Sequence, residues 1–176
     1  MSREQLLKRI SNPLAKEKVV QLALDKACIP GDLIELSLYP QSETAFRASR
    51  VLEHLVYLRI ADFVPFLPDF LSAYFLQKNC SCQRHFAKIM MYLTDSESAL
   101  ISASLINQVI ETTFEWLIDP ETPVAVKVNC MDILFNLSSG HPWISDELRS
   151  QIEFLLRDGS AAIQSRGKRI LKKLHS

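Results

Sequence analysis

Apolar residues recur at steps of three and four along almost the whole chain, which is the periodicity of amphipathic helices. Only four glycines interrupt this pattern, and most of its longer breaks contain Pro, Gly, Ser or Asp. The pattern predicts an all-helical protein. We expect helices at approximately 13–28, 32–38, 42–60, 63–77, 81–94, 97–118, 122–138, 143–157 and 160–174.

One frame of apolar positions occurs four times, and each copy ends on a leucine. These anchor residues are Leu55, Leu93, Leu137 and Leu174. A β-branched residue stands four positions before each anchor: Val51, Ile89, Ile133 and Ile170. The residue seven positions before is mostly small: Ala48, Phe86, Cys130 and Gly167. The anchors are 37 to 44 residues apart, which is the period of two-helix solenoid repeats.

The last copy of the frame carries further repeat features in the stretch LLRDGSAAIQSRGKRILKKL, residues 155–174. It has a leucine pair, Asp158 before a turn, Ile163 at the start of a helix, and a Leu-x-x-Leu ending. With these residues the chain resembles the HEAT-repeat family. The family places a basic residue directly after the β-branched residue that begins the second helix, which is Ile163 in this copy. A basic residue is present there only as Lys127, and the other copies have Ala45, Gln83 and Gln164.

The resemblance implies an all-α fold, an α–α superhelix (a HEAT-like solenoid) of about four helix pairs with an N-terminal helical cap. We expect a single domain over 1–176, with cap helices in 1–30 and the repeats in 31–176. Each helix pair is too small to bury its own apolar face, so copies must stack to share a core. A generic helical bundle is the alternative architecture.

The charge composition and the apolar runs bear on the expected cellular location and partners of the protein. Lys and Arg number 20, as do Asp and Glu, so the total charge favours neither a nucleic-acid nor a membrane partner. The start, MSREQLLKRI, lacks the apolar stretch of a secretory signal, and the longest apolar run, FVPFLPDFL, is too short for a membrane helix. The four cysteines lack the spacing of a disulfide scaffold. We expect a cytoplasmic protein that binds no membrane.

The most suggestive chemical cluster is Cys80-x-Cys82-x-x-His85, with three soft ligands in six residues. A structural zinc site needs four ligands, and Cys82 falls on a core position of its repeat, so we expect packed thiols and no metal. No phosphate-binding glycine loop and no nucleophile beside a histidine are evident. We therefore assign no catalytic residue and no cofactor, and an enzyme, including a lyase, is the interpretation with least support.

A second candidate feature is a flank of the helices that carry the anchors. At 100° per residue, the positions eight, five and one before each anchor share one side of the apolar stripe. We call this set the second-helix flank: Arg47, Arg50, His54, His85, Lys88, Tyr92, Asn129, Asp132, Asn136, Arg166, Arg169 and Lys173. Six of these twelve residues are Lys or Arg. The resemblance implies that second helices line the concave surface, whereas solvated helix edges are the plainer interpretation.

These features favour a non-enzymatic module that binds another protein or a peptide on its concave, second-helix face. Trp143, which follows His141-Pro142, is a further candidate anchor because aromatic side chains dominate interface hot spots, although such a residue also often caps a core. The alternative function is binding of nucleic acid or another polyanion through the basic flank. The sequence does not indicate an oligomeric state.

Overall fold

The computed structural model describes residues 1–174, which are helical with short connections and contain no strand. The helices are α1 Arg3–Ile10, α2 Lys16–Leu24, α3 Pro30–Leu36, α4 Ser42–Leu58, α5 Ile60–Phe63, α6 Leu67–Leu76, α7 Cys80–Ser96, α8 Ala103–Ile118, α9 Val124–Ser138, α10 Pro142–Leu155 and α11 Ala161–Leu174. Two short 3-10 turns lie at Val64–Phe66 and Ser98–Leu100. The all-α prediction is confirmed for the described residues.

Several predicted helices have different ends, and local chemistry explains them. Helix α1 was not among the predicted helices. Ser2 is its N-cap in a capping box, because the Ser2 Oγ accepts the backbone N–H of Gln5 at 3.2 Å while the Gln5 side chain accepts the N–H of Ser2 at 2.9 Å. The helix predicted over 63–77 is divided by the turn at Val64–Phe66, whose Pro65 lacks an N–H donor. The predicted 97–118 helix begins only at Ala103, after the turn at Ser98–Leu100.

The chain forms two compact units, Met1–Ile89 and Met90–Ser176. In the first unit, α4 packs against α2 and α3. An aromatic cluster fills part of this core, with Phe70 ring centroids 5.5 Å from Phe63 and 5.0 Å from Phe86. Phe86 occupies a frame position that is otherwise small, and the aromatic cluster accounts for its size because its ring stacks on Phe70.

In the second unit, α9 packs against α8, α10 and α11. Its apolar side chains are fully buried at Val126, Cys130, Ile133 and Leu134. Burial of apolar side chains is the main favourable contribution to folding, and each large one contributes about 1.5–3 kcal/mol. The second unit is therefore organised around α9.

The burial pattern confirms the repeated frame. The anchors Leu55, Leu93 and Leu137 are buried and Leu174 is half-buried, and the positions four before them are buried in all four copies. Gly167 illustrates why the position seven before an anchor is small: a Cβ there would lie 2.9 Å from Cγ2 of Ile152 on α10. None of the helices in residues 1–174 has the length and apolarity needed to span a membrane.

Candidate protein-binding surfaces

Two residues of the second-helix flank in the first unit, His85 and Lys88, bind a buried carboxylate. Glu53 on α4 is 4% exposed, and it accepts hydrogen bonds from His85 Nδ1 at 2.5 Å and Lys88 Nζ at 2.9 Å, both on α7. Burial raises the pKa of Glu53, but the hydrogen bonds from His85 and Lys88 together outweigh burial and hold that pKa below its ordinary value. Glu53 is therefore ionised at neutral pH and links α4 to α7.

The arginines of α4 bind backbone carbonyls near the end of α1. Arg47 Nη1 donates to the carbonyl oxygen of Ser11 at 3.0 Å, and its Nη2 pairs with Glu43 at 2.5 Å. Arg50 Nη1 donates to the carbonyl oxygen of Leu14 at 3.4 Å. Carbonyls at a helix C-terminus carry partial negative charge, so the Arg47 guanidinium stabilises the end of α1.

The flank of the second unit also contains a central carboxylate. Asp132 on α9 forms ion pairs with Arg166 and, at 3.1 Å, with Arg169, both on α11. The ammonium group of Lys173 lies 5.2 Å from the centroid of the Phe135 ring, which is a cation–π geometry. Asp132, which is the one acidic residue of the flank, therefore binds two of the flank's cations.

The remaining flank residues make local contacts or are partly buried. His54 Nδ1 donates to the carbonyl oxygen of Arg50 at 2.9 Å within α4. Asn136 Nδ2 donates to Thr94 Oγ1 at 3.2 Å, Asn129 is buried on α9, and Tyr92 on α7 is half-buried. Within each unit, then, these flank residues mainly contact their own or neighbouring helices.

Trp143 is the most exposed aromatic residue among the predicted binding residues. It is the second residue of α10 and is 54% exposed. Its ring stacks on that of Phe114 from α8, with centroids 6.0 Å apart and planes inclined by 26°. We call these two residues the aromatic pair. One face of the indole is thus packed while much of the side chain stays accessible.

The residues Cys80, Cys82 and His85 do not share one environment. The Cys80 side chain is exposed, Cys82 is buried, and His85 is bound to Glu53. Burial raises the pKa of the Cys82 thiol, although a hydrogen bond with Ser49 partly opposes this. Among the described residues, no group of three His, Cys, Asp or Glu side chains is arranged to hold a metal ion.

A sequence model of the HEAT repeat domain matches residues 2–174. The chain belongs to the HEAT-repeat family. The match confirms the resemblance found in the repeated frame and assigns to the chain the family's all-α helical-repeat fold. HEAT-repeat domains generally mediate protein–protein interaction.

One solved structure similar to this HEAT-repeat domain is the crystal structure of an engineered protein. The two share 15% sequence identity and a TM-score of 0.61, over 99% of this chain and 86% of the other. At this identity the likeness shows the fold alone. No curated protein sequence matches this chain.

Two residues of this HEAT-repeat domain were not singled out by the sequence pattern as candidates. Glu53 lies two positions before an anchor, and its role appears only when α7 brings His85 and Lys88 against it. The sequence signal for this pairing is an acid, Glu53, in one copy of the frame and two bases, His85 and Lys88, in the next copy. Lys127 was recognised as a repeat feature, but its buried position beside a cavity needs coordinates to be seen.

Proposed function

We propose that this HEAT-repeat domain binds a partner protein and catalyses no reaction, with the aromatic pair as an anchor. The observation that carries the proposal is the 54% exposure of Trp143 while its ring is stacked on Phe114. A tryptophan held by one packed face supplies a large apolar contact at little conformational cost, which is why such residues are common binding hot spots. Exposure of this aromatic surface costs free energy in the unbound protein.

The charges near the aromatic pair favour a basic partner segment. Glu111 is three residues before Phe114 on α8, and Asp146 and Glu147 are three and four residues after Trp143 on α10. Residues at these spacings share a helix face with the aromatic side chain. Asp146 lies 3.5 Å from Arg149, which offsets one charge, and two carboxylates are left in excess. A segment that presents an apolar side chain beside Lys or Arg complements this surface.

The second-helix flank is a second candidate surface for the same function. Lys173 above Phe135 offers an amphipathic contact of the kind that proteins use, and the resemblance favours this face. Nucleic-acid binding by the flank has less support, because Arg47, Lys88, Arg166 and Arg169 have carboxylate partners inside their own units. A cation that already has a partner gains less from a phosphate.

The test compares proteins retained by the immobilised domain and by two variants, using quantitative mass spectrometry. Trp143→Ala should lower recovery of specific partners by about thirtyfold, since a hot-spot truncation costs about 2 kcal/mol. The control is Leu76→Ala, which removes an apolar side chain that is 66% exposed in the first unit and should leave recovery unchanged. Equal recovery by all three proteins would remove the aromatic pair from the proposal.

The nucleic-acid alternative has its own measurement. Affinity for duplex DNA is measured at low and at moderate salt, with the wild type and with Lys173→Ala. Under the protein-binding proposal there is no affinity above that of nonspecific contact. A steep loss of strong DNA binding with salt, reduced further by Lys173→Ala, would favour the alternative.

A further inference from the structure

A cavity of about 290 Å³ lies in the second unit, between the start of α9 and the turn that joins α10 to α11. Its apolar surface includes Val124, Phe154 and Ile163. Ile163 is 3% exposed, whereas Val124 is 41% and Phe154 62% exposed. The cavity therefore has one buried apolar residue and two apolar side chains that a partner can contact.

Lys127 also lines this cavity, and it is the unusual residue of the site. It is only 9% exposed, and no residue within 1–174 forms an ion pair or hydrogen bond with its ammonium group. The other buried ionisable side chains in residues 1–174, Glu53 and His85, bind each other. Most of the side chain is packed, so an anion that enters the cavity can bind an ammonium group for which the protein provides no carboxylate partner.

The residues that line the cavity carry one more positive charge than negative charge. Arg157 lines it, with its guanidinium carbon 5.5 Å from the centroid of the Phe154 ring. Asp158 lines the same cavity but is exposed and lies beyond ion-pair distance of Lys127. Among the lining residues, two cations therefore face one carboxylate, and that carboxylate does not pair with Lys127.

Gly159 keeps the turn at the cavity close to the following helix. A Cβ at this position would lie against the carbonyl oxygen of Leu155 and 3.0 Å from Cβ of Ile163. Any larger residue must push the turn away from Ile163. The wall of the cavity thus depends on a close backbone approach and is well defined in shape.

The geometry points to this cavity as a docking site for an acidic peptide segment of a partner protein. A Glu or Asp carboxylate of the segment pairs with Lys127, and a neighbouring apolar side chain packs between Val124 and Phe154. A volume of 290 Å³ is at the low end for small-molecule sites, and it suits one or two peptide side chains better than a whole ligand. The exposed apolar rim gives the rest of the segment a surface to cover.

This site does not rely on the aromatic pair, because Trp143 and Phe114 are not among the residues that line the cavity. The two surfaces also differ in charge preference, since acids surround the aromatic pair and cations line the cavity. The two proposals are therefore tested independently, and either one can fail while the other holds. Trp143→Ala should leave binding at the cavity unchanged.

The experiment titrates the full chain with three capped hexapeptide pools that contain Leu-x-Glu, Leu-x-Gln or Leu-x-Lys at fixed positions and mixed residues elsewhere. Binding is followed by amide NMR shifts of Thr122, Val124 and Ser160. The Glu pool should bind about tenfold more tightly than the Gln pool, as expected for a charge-assisted hydrogen bond, and the Lys pool should not bind. Inorganic phosphate, as a free anion, should shift these amides only weakly.

Variants assign the effect to Lys127. Lys127→Met should abolish the preference for Glu over Gln, whereas Lys168→Met, at an exposed lysine of α11, should retain it. Asp158→Asn should tighten the Glu pool a fewfold by removing a like charge. The proposal is overturned if the Glu and Gln pools bind equally or not at all, if phosphate alone binds as well as the Glu pool, or if the two lysine variants behave alike.

Discussion

The buried carboxylate of Glu53 gives the sharpest test of how α4 is joined to α7. The perturbation is Glu53→Gln, which keeps the shape of the side chain but removes its charge. His85 and Lys88 then face a neutral amide in place of an ionised carboxylate. The matched control is Glu43→Gln on the same helix, because Glu43 also pairs with a cation but is 82% exposed.

The magnitude follows from burial and geometry. The His85 side chain is 9% exposed, so we assign its hydrogen bond to Glu53 about 2 kcal/mol, as for a bond to a charged group. The Lys88 side chain is 36% exposed, and screening by water reduces its contribution to about 1 kcal/mol. We therefore expect Glu53→Gln to lower the free energy of unfolding by about 3 kcal/mol, against about 0.4 kcal/mol for Glu43→Gln.

The assay is urea denaturation followed by circular dichroism, at pH 7 and at stepped values down to pH 3. The pKa of Glu53 is lower in the folded protein than the ordinary value of 4.5, so its stabilisation is complete above that value. It is lost as the pH falls from 4.5 through the folded pKa. The difference between wild type and Glu53→Gln should therefore be largest at pH 7 and shrink below pH 4.5. Equal losses for the two glutamate variants, or a Glu53→Gln effect that does not change with pH, would refute this reasoning.

Three further predictions concern the same packing. Gly167→Ala should lower the free energy of unfolding by about 1 kcal/mol, because the alanine Cβ would lie 2.9 Å from Cγ2 of Ile152. This clash should outweigh the better helix propensity of alanine, and a higher urea midpoint would contradict the prediction. Asp132→Asn should cost about 1–2 kcal/mol by removing the carboxylate from two arginines, and no change in the urea midpoint would show that the pairs are not stabilising. Iodoacetamide at pH 8 should modify exposed Cys80 in the folded protein and spare Cys28, because burial raises the pKa of the Cys28 thiol to about 11. Equal labelling of the two cysteines, measured by peptide mass spectrometry, would contradict the assigned burial.

The repeated frame was predictable because it depends on local periodicity. Leu55, Leu93 and Leu137 are buried as their spacing indicates, and the small position at Gly167 meets a neighbouring helix as expected. Helix ends were less predictable, since they depend on individual backbone groups. Pro65 was compatible with a first helical turn, but the chain uses it in a 3-10 turn that separates α5 from α6.

The partners of charged residues could not be predicted from helix periodicity alone. Projection places Arg47, Arg166 and Arg169 on one flank, but it does not show that carboxylates of the same unit hold them. Those pairings depend on the distance and rotation between neighbouring helices, which residue spacing within one helix does not determine. The same applies to Lys127, because only the packing of the α10–α11 turn shows that its largely buried side chain lines a cavity and has no carboxylate partner.

The most direct test of the central claim, that this HEAT-repeat domain binds a partner protein through the aromatic pair, is site-specific photocrosslinking in the native cell. A photoreactive phenylalanine analogue, which keeps an aromatic ring, is placed at position 143 and, in a matched protein, at exposed Leu76 in the first unit. We predict a discrete crosslinked protein from position 143 that is weak or missing from position 76 and that disappears with Glu147→Lys. The same products from both positions, or none from position 143, would contradict the claim.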